Sequence, residues 1–215
     1  MTAHADRQTP PPVTTAGSYR PPLWLRSGHV QTVWPSLFRR VELPLPDEER
    51  IDTPDGDFLD LDWYRAGHPR VAVLCHGLEG NSRRPYMQGM ARALLHAGWD
   101  VLCWNFRSCG RDMNRLPRFY HSGATDDLAQ VIQHALSAPG AYRHLVLGGF
   151  SMGGNLALVY LGERAQTLDA RITAAFAFSV PCDLGASAEQ LARAENRLYM
   201  ARFLRDLRQK MQVKH

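Results

Sequence analysis

One short stretch of the chain combines a candidate nucleophile with two glycines at fixed spacing. Gly149, Ser151 and Gly153 form a G-x-S-x-G pattern between the apolar run 145–149 and a segment with helical periodicity. A serine in such a strand-to-helix turn adopts a strained backbone and needs neighbours without side chains. The first N–H groups of the helix are unpaired there, and the helix dipole favours negative charge. The pattern predicts that Ser151 is a nucleophile; the alternative is a glycine-rich turn with an incidental serine.

A second candidate loop, residues 76–80 (HGLEG), directly follows another apolar run. A backbone N–H in this position completes an oxyanion hole in enzymes that attack carbonyl groups with serine. We expect the N–H groups of Leu78 and Met152 to bind the oxyanion, and we expect His76 and Gly77 to contact the substrate. The alternative is a glycine turn in which His76 only caps the strand.

The chain lacks an obvious base for the serine. Serine needs a histidine to remove its proton. In enzymes whose serine lies in a G-x-S-x-G turn between a strand and a helix, the acid and the histidine follow the serine in the chain. Only His215 does so, and the last residue is a poor position for a preorganised base. Asp183 either orients a histidine or, as is commoner for Asp in a turn, caps a helix. We therefore expect the acid and histidine on strands beyond residue 215, in a chain that is truncated at its C-terminus.

Apolar runs and helical periodicity predict the elements that position these residues. Continuous apolar runs are typical of parallel strands that are buried on both faces, and they cover residues 71–75, 101–106, 145–149 and 172–180. Helical segments cover residues 86–97, 125–136 and 153–165. Residues 41–45 and 58–64 predict an antiparallel pair around an Asp55-Gly56 turn. The pattern predicts an α/β fold with helices on both faces of a mostly parallel sheet.

Composition predicts one folded domain with further segments at its ends. The chain has 215 residues, of which 45% are hydrophobic and 21% charged. Residues 1–20 read as a disordered leader, residues 21–186 as the core, and residues 187–215 as the start of a helical cap. The apolar stripe in the last segment also fits a plain core helix of a shorter domain.

The net charge of +4 lies entirely in residues 187–215, which hold seven Arg and Lys against three Asp and Glu. Such a segment is either a solvated helix face or a surface that docks on anionic lipid or substrate. Nucleic acid is not indicated. Four cysteines without metal-ligand spacing indicate a reducing compartment, and no run is long enough to span a membrane. We expect a cytoplasmic protein without metal or cofactor, and the sequence leaves its oligomeric state open.

Five segments resemble a known family when they are taken together and in order. They are residues 24–32 (WLRSGHVQT), 76–80 (HGLEG), 105–107 (NFR), 120–123 (YHSG) and 149–155 (GFSMGGN). The chain resembles the YheT-like α/β hydrolases, the AB hydrolase-4 family that includes the mammalian ABHD1/ABHD3-type proteins. The resemblance covers residue 20 to the end. One departure is Ser108, where the family usually has glycine.

The resemblance implies an α/β-hydrolase fold, incomplete at the C-terminus, and a serine esterase acting on a small or lipid-like acyl ester. It implies Ser151 as nucleophile, a cap that begins near residue 187, and no catalytic role for the YHSG segment. Two alternatives stay open. One is an amide or peptide hydrolase that uses the same machinery. The other is a non-catalytic remnant that keeps the fold, and the isolated chain is expected to be inactive.

Overall fold

The chain divides into two compact units, Met1–Arg39 and Arg40–His215. The computed structural model describes residues 20–137 and 142–214. The predicted leader therefore lies outside the described residues except for Arg20. In the first unit, a 3-10 turn at Leu23–Leu25 precedes helix α1, Gly28–Phe38.

A six-stranded sheet forms the centre of the second unit, in the order β1-β2-β4-β3-β5-β6. The strands are β1 (Asp47–Asp52), β2 (Phe58–Tyr64), β3 (Arg70–Cys75), β4 (Asp100–Asn105), β5 (His144–Phe150) and β6 (Ile172–Phe178). β2 pairs antiparallel with β1 and β4, and the β3–β4, β3–β5 and β5–β6 pairs are parallel. The helices of this unit are α2 (Pro85–His96), α3 (Thr125–Ser137), α4 (Met152–Glu163), α5 (Leu184–Ala192) and α6 (Arg197–Lys214).

Two apolar cores lie on opposite faces of this sheet. Val71 and Val73 of β3 belong to the core that contains residues of α3 and α4. Ala72 and Leu74 belong to the core that contains Met87 and other residues of α2. Alternating side chains of one strand thus enter two cores, which explains the uninterrupted apolar run. The predicted α/β fold and its four parallel strands are confirmed.

The predicted first strand at residues 41–45 is wrong. The observed strand, β1, begins at Asp47 and reads DEERID, and its pairing with β2 around the predicted turn is antiparallel. Pro44 and Pro46 interrupt the more apolar segment, and proline cannot donate to a strand ladder. Ion pairs with β2 stabilise the charged strand β1: Arg50 Nε lies 2.7 Å from Asp60 Oδ1. A hydrophobicity pattern cannot predict a strand whose residues are mostly charged.

A buried ionic network joins the loop after β4 to two other elements. Arg107, with 1% of its side chain exposed, contacts Asp57 at 2.9 Å and binds both carboxylate oxygens of Asp127. Asp57 follows the β1–β2 turn, and Asp127 lies in the first turn of α3. Burial alone would raise the pKa of Asp57, but hydrogen bonds from Asn114 and from backbone N–H groups lower it. The network holds the loop after β4 against α3 and the β1–β2 turn.

We expect Arg107→Met to lower the free energy of unfolding by about 3–5 kcal/mol, because it leaves two buried carboxylates without their cation. Urea denaturation measures this change. The matched control is Arg171→Met, since Arg171 pairs with Asp169 at 2.8 Å but both side chains are more than a third exposed. The control is expected to cost no more than about 1 kcal/mol. Equal losses in the two variants would contradict a special role for the buried network.

Candidate active site

Ser151 occupies the single-residue turn between β5, which ends at Phe150, and α4, which begins at Met152. Its backbone has φ 52° and ψ −121°, a conformation that costs a residue with a side chain about 1–3 kcal/mol. Two hydrogen bonds hold it: Ser151 N–H donates to Phe178 O at 2.8 Å, and Asn155 N–H donates to Ser151 O at 3.0 Å. The side chain is partly exposed. The turn therefore has the strained geometry that the G-x-S-x-G pattern predicts.

The two glycines of the pattern permit backbone contacts that no other residue would allow. A Cβ atom at Gly149 would lie 2.5 Å from Gly153 O, and one at Gly153 would lie 2.3 Å from His76 O. A Cβ atom at Gly77 would lie 3.3 Å from Ser151 Cβ. The structure thus brings the loop after β3 against the serine, as the sequence predicts.

His76 is fully buried behind this loop. Its Nε2 accepts a hydrogen bond from Phe106 N–H at 3.1 Å, so the proton lies on Nδ1, which donates to Gly77 O at 2.8 Å. Burial is the main reason that the pKa of His76 is lowered to about 3. The ring is neutral and both nitrogens are occupied, so it has no free atom to bind substrate or to deprotonate a serine. This geometry favours the structural alternative, in which His76 shapes the loop.

The two predicted oxyanion donors lie at the ends of their elements. Met152 is the first residue of α4, so its N–H has no partner within the helix. Leu78 lies in the turn after β3 and is partly exposed. Within residues 20–137 and 142–214, neither amide donates to another backbone or side-chain acceptor. Both N–H groups are therefore available to a ligand.

Sequence reasoning missed a set of side chains that fixes the loop next to Leu78. Glu79 has φ 51°, and its N–H donates to the Tyr120 hydroxyl at 3.1 Å. The same hydroxyl donates in return to the Glu79 carboxylate, whose other oxygen lies 2.8 Å from Lys210 Nζ. Burial is the main reason that the pKa of Tyr120 is raised, so the phenol keeps its proton. Tyr120 belongs to the YHSG segment, and the family resemblance was the one sequence signal that marked it.

Helix α6 lies over the loops that follow β3 and β4. Besides its pair with Glu79, Lys210 Nζ lies 3.3 Å from Cys109 Sγ, and Lys214 bonds to Asn114 and two backbone carbonyls. A cavity of about 380 Å³ lies between these loops and α6. Asp183 caps α5, since its carboxylate accepts from Ala186 N–H at 2.9 Å. That contact fits the capping alternative for Asp183 rather than a catalytic acid.

The chain is similar to known hydrolases in sequence and in structure. A model of the alpha/beta hydrolase fold family matches residues 71–212. "Putative esterase YheT" of Escherichia coli (strain K12) is 34% identical over 183 residues, which cover 83% of this chain and 53% of that protein. "Phospholipase ABHD3" of Mus musculus is 30% identical over 214 residues, 95% of this chain and 51% of that one. The chain thus spans about half the length of these curated relatives.

Among solved structures, the Pyrococcus furiosus esterase Pf2001 superposes with a TM-score of 0.57. The superposition covers 71% of this chain and 62% of the esterase, at 22% sequence identity. At 22% identity, this superposition shows only that the two proteins share a fold.

We expect Gly153→Ala to lower the free energy of unfolding by about 1–3 kcal/mol, because the new methyl group would overlap the carbonyl oxygens of Cys75 and His76. Gly162→Ala, in the same helix, is the matched control, since a Cβ there meets no atom within 4 Å. We expect the control to stabilise the protein by up to about 1 kcal/mol through helix propensity. Urea denaturation compares the two, and a neutral Gly153→Ala would show that the loop and the serine turn are not in tight contact.

Proposed function

The chain belongs to the α/β hydrolase fold family, and we propose that it cleaves carboxylic acyl esters with Ser151 as the nucleophile. The observation that carries this proposal is the strained backbone of Ser151, at φ 52°, between β5 and the N-terminus of α4. Such strain persists where the surrounding structure imposes it, and it clusters at functional sites. The relatives named as an esterase and a phospholipase support an ester as the substrate.

In the proposed reaction, Ser151 Oγ attacks the ester carbonyl carbon and the carbonyl oxygen becomes an oxyanion. The N–H groups of Leu78 and Met152 donate to this oxygen, and each such donor is typically worth about 2.7–4 kcal/mol in the transition state. The C–O bond to the alcohol then breaks, the alcohol leaves with a proton, and water hydrolyses the acyl-serine. The two unpaired N–H groups are suited to donate hydrogen bonds to the oxygen of this tetrahedral intermediate.

We propose that the base that deprotonates Ser151 lies outside the described residues. His76 is excluded by its bonds to Phe106 and Gly77. Asp183 is engaged as a helix cap. We propose that the triad acid and histidine follow residue 215 in the full-length protein. Ester hydrolysis is therefore proposed for the full-length protein, and residues 1–215 alone are proposed to be nearly inactive.

We propose that α5 and α6 begin a cap over the carboxyl ends of the strands. Two lysines of α6 anchor it there: Lys210 pairs with Glu79, and Lys214 bonds to Asn114. The cavity beneath α6 is bounded by the loop that carries Leu78 and by the loop after β4. A cap in this position would bind an acyl chain or headgroup, which fits a small or lipid-like ester.

We expect a fluorophosphonate to label the full-length protein at Ser151, because the reagent captures a serine that is activated for attack on a carbonyl. Mass spectrometry of the labelled peptide identifies the site. Ser151→Ala is expected to abolish both the labelling and the hydrolysis of p-nitrophenyl esters. Residues 1–215 alone are expected to retain only about 10³- to 10⁴-fold acceleration over water.

Ser187→Ala is the matched control, because Ser187 is partly exposed on α5 and its hydroxyl donates only to Asp183 O. It is expected to be labelled as fast as the wild type. Unchanged labelling of a folded Ser151→Ala variant would remove the proposed nucleophile, and rapid ester turnover by residues 1–215 would show that a residue within this segment acts as the base.

We expect Tyr120→Phe to lower kcat of the full-length protein roughly 10- to 100-fold while KM stays nearly unchanged. Without the hydroxyl, Glu79 N–H loses its acceptor and the neighbouring Leu78 N–H loses its fixed direction. Tyr142→Phe removes an equally buried hydroxyl, which donates to Asp100 at 2.9 Å at the opposite end of the strands. Both variants are expected to lose about 1 kcal/mol of stability. Equal kcat in the two variants would leave Tyr120 with a structural role only.

A further inference from the structure

Lys210 joins helix α6 to the loop that follows β3. Its Nζ lies 2.8 Å and 3.0 Å from the two carboxylate oxygens of Glu79, the residue after the proposed oxyanion donor Leu78. The same Nζ lies 3.3 Å from Cys109 Sγ and 5.5 Å from the centroid of the Tyr120 ring. One ammonium group of α6 therefore contacts the loops after β3 and β4 at once.

The ion pair between Lys210 and Glu79 is largely shielded from water. The exposed fraction of the side chain is 16% for Lys210 and 4% for Glu79. Among the residues that the structure describes, Lys210 supplies the one ion pair of this carboxylate. A buried carboxylate that loses its cation is strongly destabilised, and a movement that returns it to water relieves this cost. The position of α6 therefore decides whether Glu79 stays where the structure places it.

A movement of Glu79 would reach the proposed oxyanion hole through the backbone. Glu79 has φ 51°, a left-handed conformation that its surroundings must impose. Its N–H donates to the Tyr120 hydroxyl at 3.1 Å, and that hydroxyl donates to the Glu79 carboxylate. If the carboxylate turned towards water, this reciprocal pair would break and the strained residue would relax. Leu78, its neighbour in the same turn, would then lose the fixed direction of its N–H.

We propose that Lys210 is a positioning residue, through which helix α6 assembles the oxyanion hole; this rests on the proposed function, since it concerns the amide that Leu78 supplies to an ester oxyanion. While Lys210 contacts Glu79, the turn is fixed and the Leu78 N–H is preorganised. When α6 moves away, the buried carboxylate lacks a cation and the turn relaxes. The proposed cap thus contributes to the chemical step as well as to substrate binding.

Kinetics of the full-length protein on p-nitrophenyl acetate test the proposal, because so short an ester gains little from binding under a cap. Lys210→Met keeps most of the length of the side chain and removes its charge. It is expected to lower kcat roughly 10- to 100-fold while KM stays nearly unchanged. Lys210→Arg is expected to keep most of the activity, since a guanidinium also pairs with a carboxylate. The matched control is Arg208→Met, which removes a cation from an exposed position of α6 and is expected to leave kcat unchanged.

A double variant separates this role from simple anchoring of α6. Glu79→Gln removes the buried charge, and the new amide oxygen still accepts a hydrogen bond from Tyr120. Glu79→Gln/Lys210→Met is therefore expected to recover most of the kcat that Lys210→Met loses. If Lys210 only holds α6 in place, the double variant would stay as slow as the single one, and the proposal would be overturned. Equal kcat in the wild type and in Lys210→Met would overturn it as well.

Hydrogen exchange of the full-length protein tests the coupling without any catalysis. Three of the N–H groups in residues 77–80 donate to acceptors within the protein. A peptide that spans this range is expected to exchange roughly tenfold faster in Lys210→Met than in the wild type or in Arg208→Met. Equal exchange in Lys210→Met and the wild type would show that α6 does not hold this loop, which would contradict the proposal.

The two measurements distinguish a failure of this proposal from a failure of the proposed nucleophile. If a fluorophosphonate does not label Ser151 in the wild type, the nucleophile is wrong, and hydrogen exchange still decides whether Lys210 holds the loop. If Ser151 is labelled equally fast in the wild type and in Lys210→Met, the nucleophile stands and the positioning role is wrong. Circular dichroism is expected to show the wild-type fold for every variant. A Lys210→Met protein that does not fold is replaced by Lys210→Gln, for which the same results are expected.

Discussion

The candidate site depends on a close approach between the loop that follows β3 and the turn that follows β5. A Cβ atom at Gly153 would lie 2.3 Å from His76 O and 2.5 Å from Cys75 O, so only glycine fits between α4 and the end of β3. The sheet order supplies this proximity, since β3 and β5 are parallel neighbours in register up to Cys75 and Gly149. Both candidate oxyanion amides therefore come from adjacent strand ends, and their spacing is fixed by the sheet.

The loop after β3 needs further support because its geometry is unfavourable for its residues. Glu79 has a positive φ, and its N–H and carboxylate both bond to Tyr120. Gly77 N–H donates to the Tyr86 hydroxyl at 3.0 Å, and the His76 ring holds Gly77 O from behind. Two buried side chains, His76 and Tyr120, and the partly buried Tyr86 thus fix one short turn. Preorganised donors of this kind stabilise charge without rearranging during the reaction.

The sequence predicted those parts of the molecule that rest on local patterns. The strands buried on both faces have apolar runs, and the serine turn has a short glycine pattern, so both were found. β1 was missed because ion pairs such as Arg50–Asp60 support it in place of burial. The contacts among Glu79, Tyr120 and Lys210 had no local signal, since 41 residues separate the first pair and 131 separate Glu79 from Lys210. Long-range polar contacts leave no periodicity in a sequence.

Backbone strain in the described residues lies at one edge of the sheet. The four non-glycine residues with positive φ are Glu79, Ser108, Ser151 and Ser179, and each follows one of the four parallel strands. Ser108, at φ 61°, stands where the resembling family usually has glycine, and its hydroxyl bonds to Asn114, which also bonds to Asp57. A hydrogen bond thus offsets a conformational cost that glycine would avoid. Strain at each of these strand ends supports the proposal that this edge of the sheet binds a ligand, because such strain clusters at functional sites.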